Sequence, residues 1–167
     1  TTIDATTLAT RIDTYDIIDG GGTTAFYPAS GATINVDADE ITHMLADETA
    51  GRLTISDQKI TVTGAISVDN ANLLGATTTG VVTATIDTTE TVTELATLSA
   101  DGGTNKLTIV IREADATAST AAQLNTINAA TAVAVDAQQV SAITGTVADL
   151  KTVYTAGAAG EITGLDG

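Results

Sequence analysis

Aliphatic residues recur along the chain in two patterns, one typical of a helix and one typical of a strand. In the first, an aliphatic residue is followed by another three or four positions later, as in Leu95 and Leu98, which places both on one face of a short helix. In the second, aliphatic residues alternate with Thr or Ala, as in 82–86, which is the period of a half-buried strand. The helical pattern occurs five times, with the anchor residues Ile41, Leu73, Leu95, Leu124 and Leu150.

Polar residues ahead of the anchors predict where the helices begin. Thr91 and Glu94 have the spacing of a capping box, in which the two side chains bind the first free N–H groups of a helix. The same spacing recurs at Thr120 with Gln123 and at Thr146 with Asp149. Glycine tolerates the left-handed conformation that ends many helices. The predicted stop positions are Gly51, Gly80, Gly103 and Gly160.

The distances between the anchors indicate a repeating fold. They are 32, 22, 29 and 26 residues, with a mean of about 27, and periods in this range are typical of solenoids. One short helix and one short strand cannot bury an apolar face alone, whereas stacked copies form a parallel sheet covered by helices. We therefore predict an α/β solenoid with a parallel sheet, and an all-β solenoid or β-sandwich as the alternative. The predicted strands are 53–55, 82–86, 107–111, 133–135 and 162–165.

The N-terminal part of the chain departs from this pattern. Residues 1–36 contain the triple glycine 20–22, three of the four aromatic residues and the only proline. Terminal repeats of a solenoid are atypical because they cover the open end of the stack. We predict that 1–36 form an N-terminal cap or arm and that 37–167 form a repeat domain of about five coils. Because the chain begins at Thr1 without Met, we expect a processed chain or a segment of a longer protein.

Composition and charge exclude several classes of function. The chain has 167 residues with 21 acidic and 6 basic side chains, a net charge of −15 and no cysteine. Six scattered cations do not provide the basic patch that binds nucleic acid, and without cysteine there is no disulfide or thiolate metal site. The 35 Thr and 29 Ala residues, with few aromatics, predict a thin core of small aliphatic side chains. We expect no membrane insertion, because the longest uncharged stretch is too polar.

Clustered carboxylates are the candidate metal ligands. Asp37, Asp39 and Glu40 fall within four residues, and calcium prefers several such oxygen ligands. The alternative is an acidic helix N-terminus, which the helix dipole favours. Asp16 and Asp19, ahead of the triple glycine, form a second calcium candidate. No other cofactor is expected.

The remaining candidate chemistry is weak. His43 is the only histidine, and no serine lies in a nucleophile elbow. Carboxylate pairs on solenoids can cleave polysaccharides, but such sites also use cations and aromatic platforms, so we predict that the chain is not an enzyme. Alternating threonines could form a flat array of the kind found in ice-binding proteins. They occur at 61–63, 83–85 and 91–93.

Two segments carry a resemblance to a known family. The segment 125–137, NTINAATAVAVDA, and the segment 143–150, ITGTVADL, resemble the degenerate Thr/Ala/Asp-rich repeats of giant bacterial, cyanobacterial-type extracellular surface proteins of the haemolysin-type, type I-secreted class. The resemblance extends over 69–166, some 60% of the chain. It implies an extracellular or cell-surface location and a structural, adhesive or surface-layer role in which calcium often takes part. The family's glycine-rich calcium nonapeptide does not occur in this sequence.

The sequence thus favours a structural repeat module of an extracellular or cell-surface protein. Its expected partners are other copies or flanking repeats of the same protein, with contacts to the cell surface or matrix. The main alternative is a self-assembling subunit of an extracellular filament or surface layer, with 1–36 as an exchanged arm. A calcium-dependent adhesin and an ice-binding solenoid are lesser alternatives.

Overall fold

The protein is a mixed α/β chain built around parallel strands. The structure, a computed structural model, describes residues 27–99, 103–112 and 119–165. The strands in these ranges are β1 Thr33–Asp37, β2 Lys59–Ile66, β3 Val82–Ile86, β4 Lys106–Thr108, β5 Ser119–Thr120, β6 Val135–Asp136, β7 Ile143–Thr144 and β8 Ile162–Thr163. The helices there are α1 Ile41–Thr49, α2 Val68–Thr77, α3 Val92–Leu95, α4 Ala121–Ala129 and α5 Val147–Ala159.

Each strand of the main sheet pairs in parallel with the next strand along the chain. The order is β1-β2-β3-β4, and each pair is parallel. A parallel pair requires a crossover, and α1, α2 and α3 lie in the three connections. The β2–β3 register shifts between Thr61 and Ala65, around Gly64, whose φ of 94° suits glycine.

The same order continues beyond β4 in shorter pieces. Val110 forms a parallel bridge to Asp136 in β6, and β6 pairs in parallel with β8. Asp136 donates its N–H to the Ile109 carbonyl at 3.0 Å and accepts the Ile111 N–H at 2.8 Å. Beside this series, β5 pairs in parallel with β7. In sequence, β5 comes just before α4 and β7 just before α5. Strands adjacent in a sheet are thus consecutive along the chain from β1 to β4, whereas β5 pairs with β7 and β6 with β8.

The helices bury one narrow stripe of residues spaced three apart. In α2 these are Val68, Ala71 and Leu74, and in α4 they are Ala121, Leu124 and Ile127. Three of the five predicted anchors are buried in this way, and they are Ile41, Leu95 and Leu124.

Two predicted anchors are wrong or displaced. Leu73 has 52% of its side chain exposed, whereas its neighbour Leu74 is fully buried, because Leu74 follows Ala71 by three positions and Leu73 does not. Leu150 is only partly buried, and the fully buried residue of α5 is Val153. Two adjacent leucines cannot both face the core, and the sequence alone does not show which one does. The choice depends on the other buried residues of the same helix.

The predicted helix starts are confirmed. Thr91 and Thr120 form complete capping boxes with Glu94 and Gln123, respectively. The Thr146 hydroxyl accepts the N–H of Asp149 at 3.2 Å. These side chains satisfy N–H groups that the helix cannot pair internally.

One predicted strand is misplaced. The segment 53–55 is not a strand of the sheet; the strand between α1 and α2 is β2, at Lys59–Ile66. Leu53 and Ile55 are nevertheless buried, at 6% and 4% exposure, so their alternation reflects burial in the loop before the strand.

β1 spans the predicted boundary at 36/37 and pairs with β2. The rest of the predicted cap or arm, residues 1–26, lies outside the described residues.

The core consists of aliphatic side chains, as the composition predicts. The buried hydrophobic residues in the described ranges are Ile, Val, Leu and Ala together with Met44. The two tyrosines in those ranges lie at the surface, Tyr27 with 71% and Tyr154 with 49% exposure. Short side chains fill only a thin layer, which is the space between one sheet and one row of helices.

The adjacent leucines of α2 test this packing. We expect Leu74→Ala to lower the free energy of unfolding by about 2–5 kcal/mol, since it leaves a cavity in the core. Leu73→Ala, the matched control, should lower it by less than about 1 kcal/mol because most of Leu73 is in water. Urea unfolding followed by circular dichroism measures both. Equal losses for the two variants would contradict the observed helix orientation.

Candidate functional site

The predicted calcium ligands lie around the start of α1. Asp37 ends β1 and Asp39 lies in the following turn, and both are exposed. Glu40 is the residue that precedes α1, and its side chain makes no capping hydrogen bond. One carboxylate oxygen of Glu40, Oε2, is buried without a hydrogen-bond partner although the residue as a whole is only half-buried. The second candidate pair, Asp16 and Asp19, lies outside the described residues.

These carboxylates do not form a metal centre with their described neighbours. In 27–99, 103–112 and 119–165, no three His, Cys, Asp or Glu side chains form a group that could hold a metal ion. Asp47, the buried acid of α1 with 7% exposure, is paired with Arg52, whose Nε lies 2.7 Å from Oδ1. Calcium binding therefore stays a prediction that rests on Asp37, Asp39 and Glu40 as an acidic group at a helix start.

Three other carboxyls have pKa values lowered by hydrogen bonds, one between segments 27 residues apart, one in a turn and one in a helix cap. The Ser30 hydroxyl donates to Asp57 and lowers the pKa of that carboxyl. The backbone N–H of Thr89, 2.8 Å away, lowers the pKa of Asp87. The Thr91 hydroxyl, 2.7 Å away, lowers the pKa of Glu94.

Each of these shifts stabilises the charged form of the acid. A general acid needs the opposite, a carboxyl that keeps its proton near neutral pH. The three charged carboxyls instead accept hydrogen bonds in one contact between segments, one turn and one capping box.

Threonines line part of the solvent face of the sheet. Thr61 and Thr83 are register partners on neighbouring strands, as are Thr85 and Thr108. Two lysines interrupt the array, since Lys106 is the register partner of Thr83 and Lys59 that of Thr33. The third predicted Thr pair does not belong to a strand, because its first member is the capping residue of α3.

A set of buried polar side chains, which the sequence analysis does not predict, lies just before the strands. We call it the buried polar row; its members are Gln58, Thr78, Asn105 and Thr131, with 3%, 6%, 4% and 8% exposure. Burial of such groups is costly unless each finds a hydrogen-bond partner.

Members of the row bind the backbone of the preceding strand or its approach. Gln58 Nε2 donates to the Ala29 carbonyl at 3.2 Å, ahead of β1. The Thr78 hydroxyl donates to the Gln58 carbonyl at 2.6 Å. Asn105 Oδ1 accepts the N–H of Val82, the first residue of β3, at 2.9 Å.

Thr131 makes several of these contacts through one oxygen. Its hydroxyl donates to the Leu107 carbonyl at 2.8 Å and accepts the Leu107 N–H at 2.9 Å. The same oxygen accepts the N–H of Val133 at 3.1 Å, in the segment that leads to β6. One hydroxyl thus joins β4 to the segment that leads to β6.

The backbones come very close along the same row. A Cβ placed on Gly80 would lie 2.2 Å from the Gln58 carbonyl oxygen, so no larger residue fits there. Gly80 thus serves as a contact point between successive segments, whereas the sequence predicts a left-handed helix stop. Gly160 does have the predicted role, closing α5 with a φ of 78°.

Neighbouring helices are joined by polar contacts of the same kind. Asn72 Nδ2 donates to the Thr97 carbonyl at 3.0 Å, and Asn125 Nδ2 donates to the Asp149 carbonyl at 3.2 Å. Glu90 Oε1 accepts the N–H of Val68, the first residue of α2, at 3.1 Å. In each case the side chain connects one helix segment to the next along the chain.

Comparisons with known proteins add no family to these observations. No family model, curated protein or solved structure matches the chain. Among the helices that the structure describes, none has both the length and the hydropathy needed to span a bilayer. The most distinctive feature of the described residues is therefore the series of polar contacts between consecutive segments.

The hydroxyl of Thr131 gives a test of these contacts. Thr131→Val keeps the side-chain shape but leaves the N–H groups of Leu107 and Val133 without their partner. We expect a loss of about 1–3 kcal/mol in the free energy of unfolding for such unpaired buried groups.

The control is Thr126→Val on the exposed face of α4, where the hydroxyl only bonds back to the Ala122 carbonyl. It should change the free energy of unfolding by no more than about 0.5 kcal/mol. A Thr131→Val protein as stable as the control would show that the buried polar row is not needed for stability.

Proposed function

We propose that the chain is a structural, non-catalytic repeat module of an extracellular or cell-surface protein, built as an α/β solenoid. Each coil consists of a strand, a helix and the turn that leads to the next strand. The observation that carries this proposal is the contact between each segment and the following one, by parallel strand pairing and through the buried polar row. Such nearest-neighbour contacts are the source of stability in repeat proteins.

The spacing of the helices supports a repeat. Their first residues lie 27, 24, 29 and 26 positions apart, which is more even than the distances between the predicted anchors. The distances between the predicted anchors are less even because the anchors do not have equivalent positions. Ile41 is the first residue of α1, whereas Leu73 lies on the exposed side of α2. Aligned by helix start, the same stripe positions recur: Met44, Ala71, Leu95 and Leu124 are all buried.

The distribution of charged groups supports a structural role rather than catalysis. The three carboxyls with shifted pKa values, Asp57, Asp87 and Glu94, have lowered pKa values because each accepts hydrogen bonds, and the bond to Asp57 comes from Ser30 in the preceding segment. The buried acid, Asp47, is neutralised by Arg52. The other buried polar residues of the described ranges lie mostly at the entries to strands, where they bind backbone groups.

The extracellular location rests on composition and on the family resemblance. A chain with a net charge of −15 and no cysteine suits a surface exposed to salt and oxidants, because its solubility comes from charge and it has no thiol to oxidise. The Thr/Ala/Asp-rich segments 125–137 and 143–150 resemble repeats of exported surface proteins. The adhesive or surface-layer role follows from the same resemblance.

Antibody labelling of intact cells of the source organism tests this function. We expect antibodies against the chain to label unpermeabilised cells, because the module belongs to the outer surface. An antibody against a cytosolic protein serves as the control and should label only permeabilised cells. Labelling by both antibodies only after permeabilisation would refute the proposed location.

Thermal unfolding with calcium separates the module from a calcium-dependent adhesin. The melting temperature of a module held by the buried polar row should be the same in calcium and in chelator. A melting temperature that rises with calcium, and no longer does so in Asp39→Asn, would instead assign a calcium site to the acidic group before α1.

A further inference from the structure

The last helix of the described chain has one face covered by α4 and an opposite face that is uncovered. On the covered side, Asn125 of α4 donates to the Asp149 carbonyl. On the other side, Val147 has 84% and Tyr154 49% of the side chain exposed, and Lys151 is exposed between them. We call Val147, Lys151 and Tyr154 the α5 end face.

The exposure of Val147 is unusual for its position. It is the first residue of its helix, as are Ile41, Val68 and Ala121, whose exposures are 0%, 2% and 0%. Val92, the first residue of α3, is also partly buried. The same position is therefore covered in the four earlier helices and bare in α5.

The following segment of the chain supplies that cover. Gly145, directly before the Thr146 cap, lies so close to Ala121 that a Cβ on it would come within 3.1 Å of the Ala121 side chain. Glu90, in the same place before the Thr91 cap, binds the N–H of Val68 at 3.1 Å. In both cases the residue before one helix cap contacts the first residue of the preceding helix.

Lys151 repeats a second feature of these contacts. Counted from the helix start, it occupies the position of Asn72 in α2 and Asn125 in α4, both of which donate to the next helix segment. Lys151 is likewise a donor, and its side chain is exposed. The α5 end face therefore has both the apolar and the polar half of an inter-coil contact.

We propose that a second copy of the chain stacks on the α5 end face in a head-to-tail arrangement, with its α1 in the place of a sixth helix. This inference rests on the proposed solenoid. In the second copy, Asp39 lies directly before the residue that precedes α1, which is the position of Glu90 and Gly145. His43 has the position of Asp149, opposite Lys151.

Charge supports this occupant. The start of α1 carries Asp39 and Glu40, which would lie near the Lys151 ammonium and the positive N-terminus of α5. The first and last described strands, β1 and β8, each pair in parallel with their neighbours. A parallel pair between β8 of one copy and β1 of the next would therefore keep the strand direction of the rest of the structure. A contact between two different faces leaves the same two faces free at the ends of each dimer, so stacking along the direction of the helix row extends it into linear assemblies.

Engineered cysteines test the contact without interference, because the chain has no cysteine of its own. In the double variant Lys151→Cys with His43→Cys, each copy offers one thiol at the α5 end face and one at the α1 side. Mild oxidation should give disulfide-linked dimers, trimers and longer chains on a non-reducing gel. The matched control is the double variant Lys106→Cys with His43→Cys, which loses the same charge at a lysine that is exposed on the sheet face. This control should give at least tenfold less product beyond the dimer.

The symmetry of the contact predicts the behaviour of the other variants. Each single-cysteine variant can form at most a dimer, and Lys151→Cys alone should remain largely monomeric because two α5 end faces do not meet. Adding Val147→Asp to the double variant should abolish the long products, since the new carboxylate would face Asp39. All variants are first checked for the wild-type melting temperature.

Two results would overturn the proposal. One is an efficient dimer from Lys151→Cys alone, which would show a tail-to-tail contact, and the other is a double variant no different from the Lys106 control. Either result would leave the proposed function standing if antibodies against the chain label unpermeabilised cells as predicted, because that labelling does not depend on how two copies stack.

Discussion

The need to pair buried backbone groups at the entry of each strand is the constraint on which this structure depends. In the four-stranded parallel sheet a helix lies in each connection, so the chain enters the core at intervals, and each entry buries N–H and C=O groups that water no longer reaches. Gln58, Thr78, Asn105 and Thr131 bind such groups, and most of their partners belong to the preceding segment. Each strand is thereby completed by residues that come about one helix later in the chain.

This arrangement explains how a chain with so few large side chains forms a fold. Short aliphatic residues fill a thin layer, and the burial of any one segment is small. Stability must then come from many contacts between neighbours, including Asn72 and Asn125 between helices and Gly80 where backbones meet. Threonine suits both environments, since its hydroxyl serves as a cap at Thr91 and as a buried partner at Thr131.

The sequence predicts the local elements better than the contacts between them. The capping boxes at Thr91 and Thr120 and the strand at 82–86 are confirmed, because caps and alternation depend on residues close in sequence. The choice between Leu73 and Leu74 needs the whole buried stripe, and the segment 53–55 alternates as a strand would although it is a buried loop. The buried polar row is not predicted, because Gln, Thr and Asn before a strand are also typical of exposed turns. Its only sequence signal is a polar residue shortly before each aliphatic run.

Amide hydrogen exchange tests the central role of the row most directly. The N–H groups of Val82 and Leu107 are bound by side chains of the following segment, Asn105 and Thr131. We predict that both exchange at least about a thousandfold more slowly than in an unstructured peptide, because they open only with the surrounding core. Exchange of these two amides within about tenfold of the unstructured rate, while the neighbouring strand amides stay protected, would contradict the account.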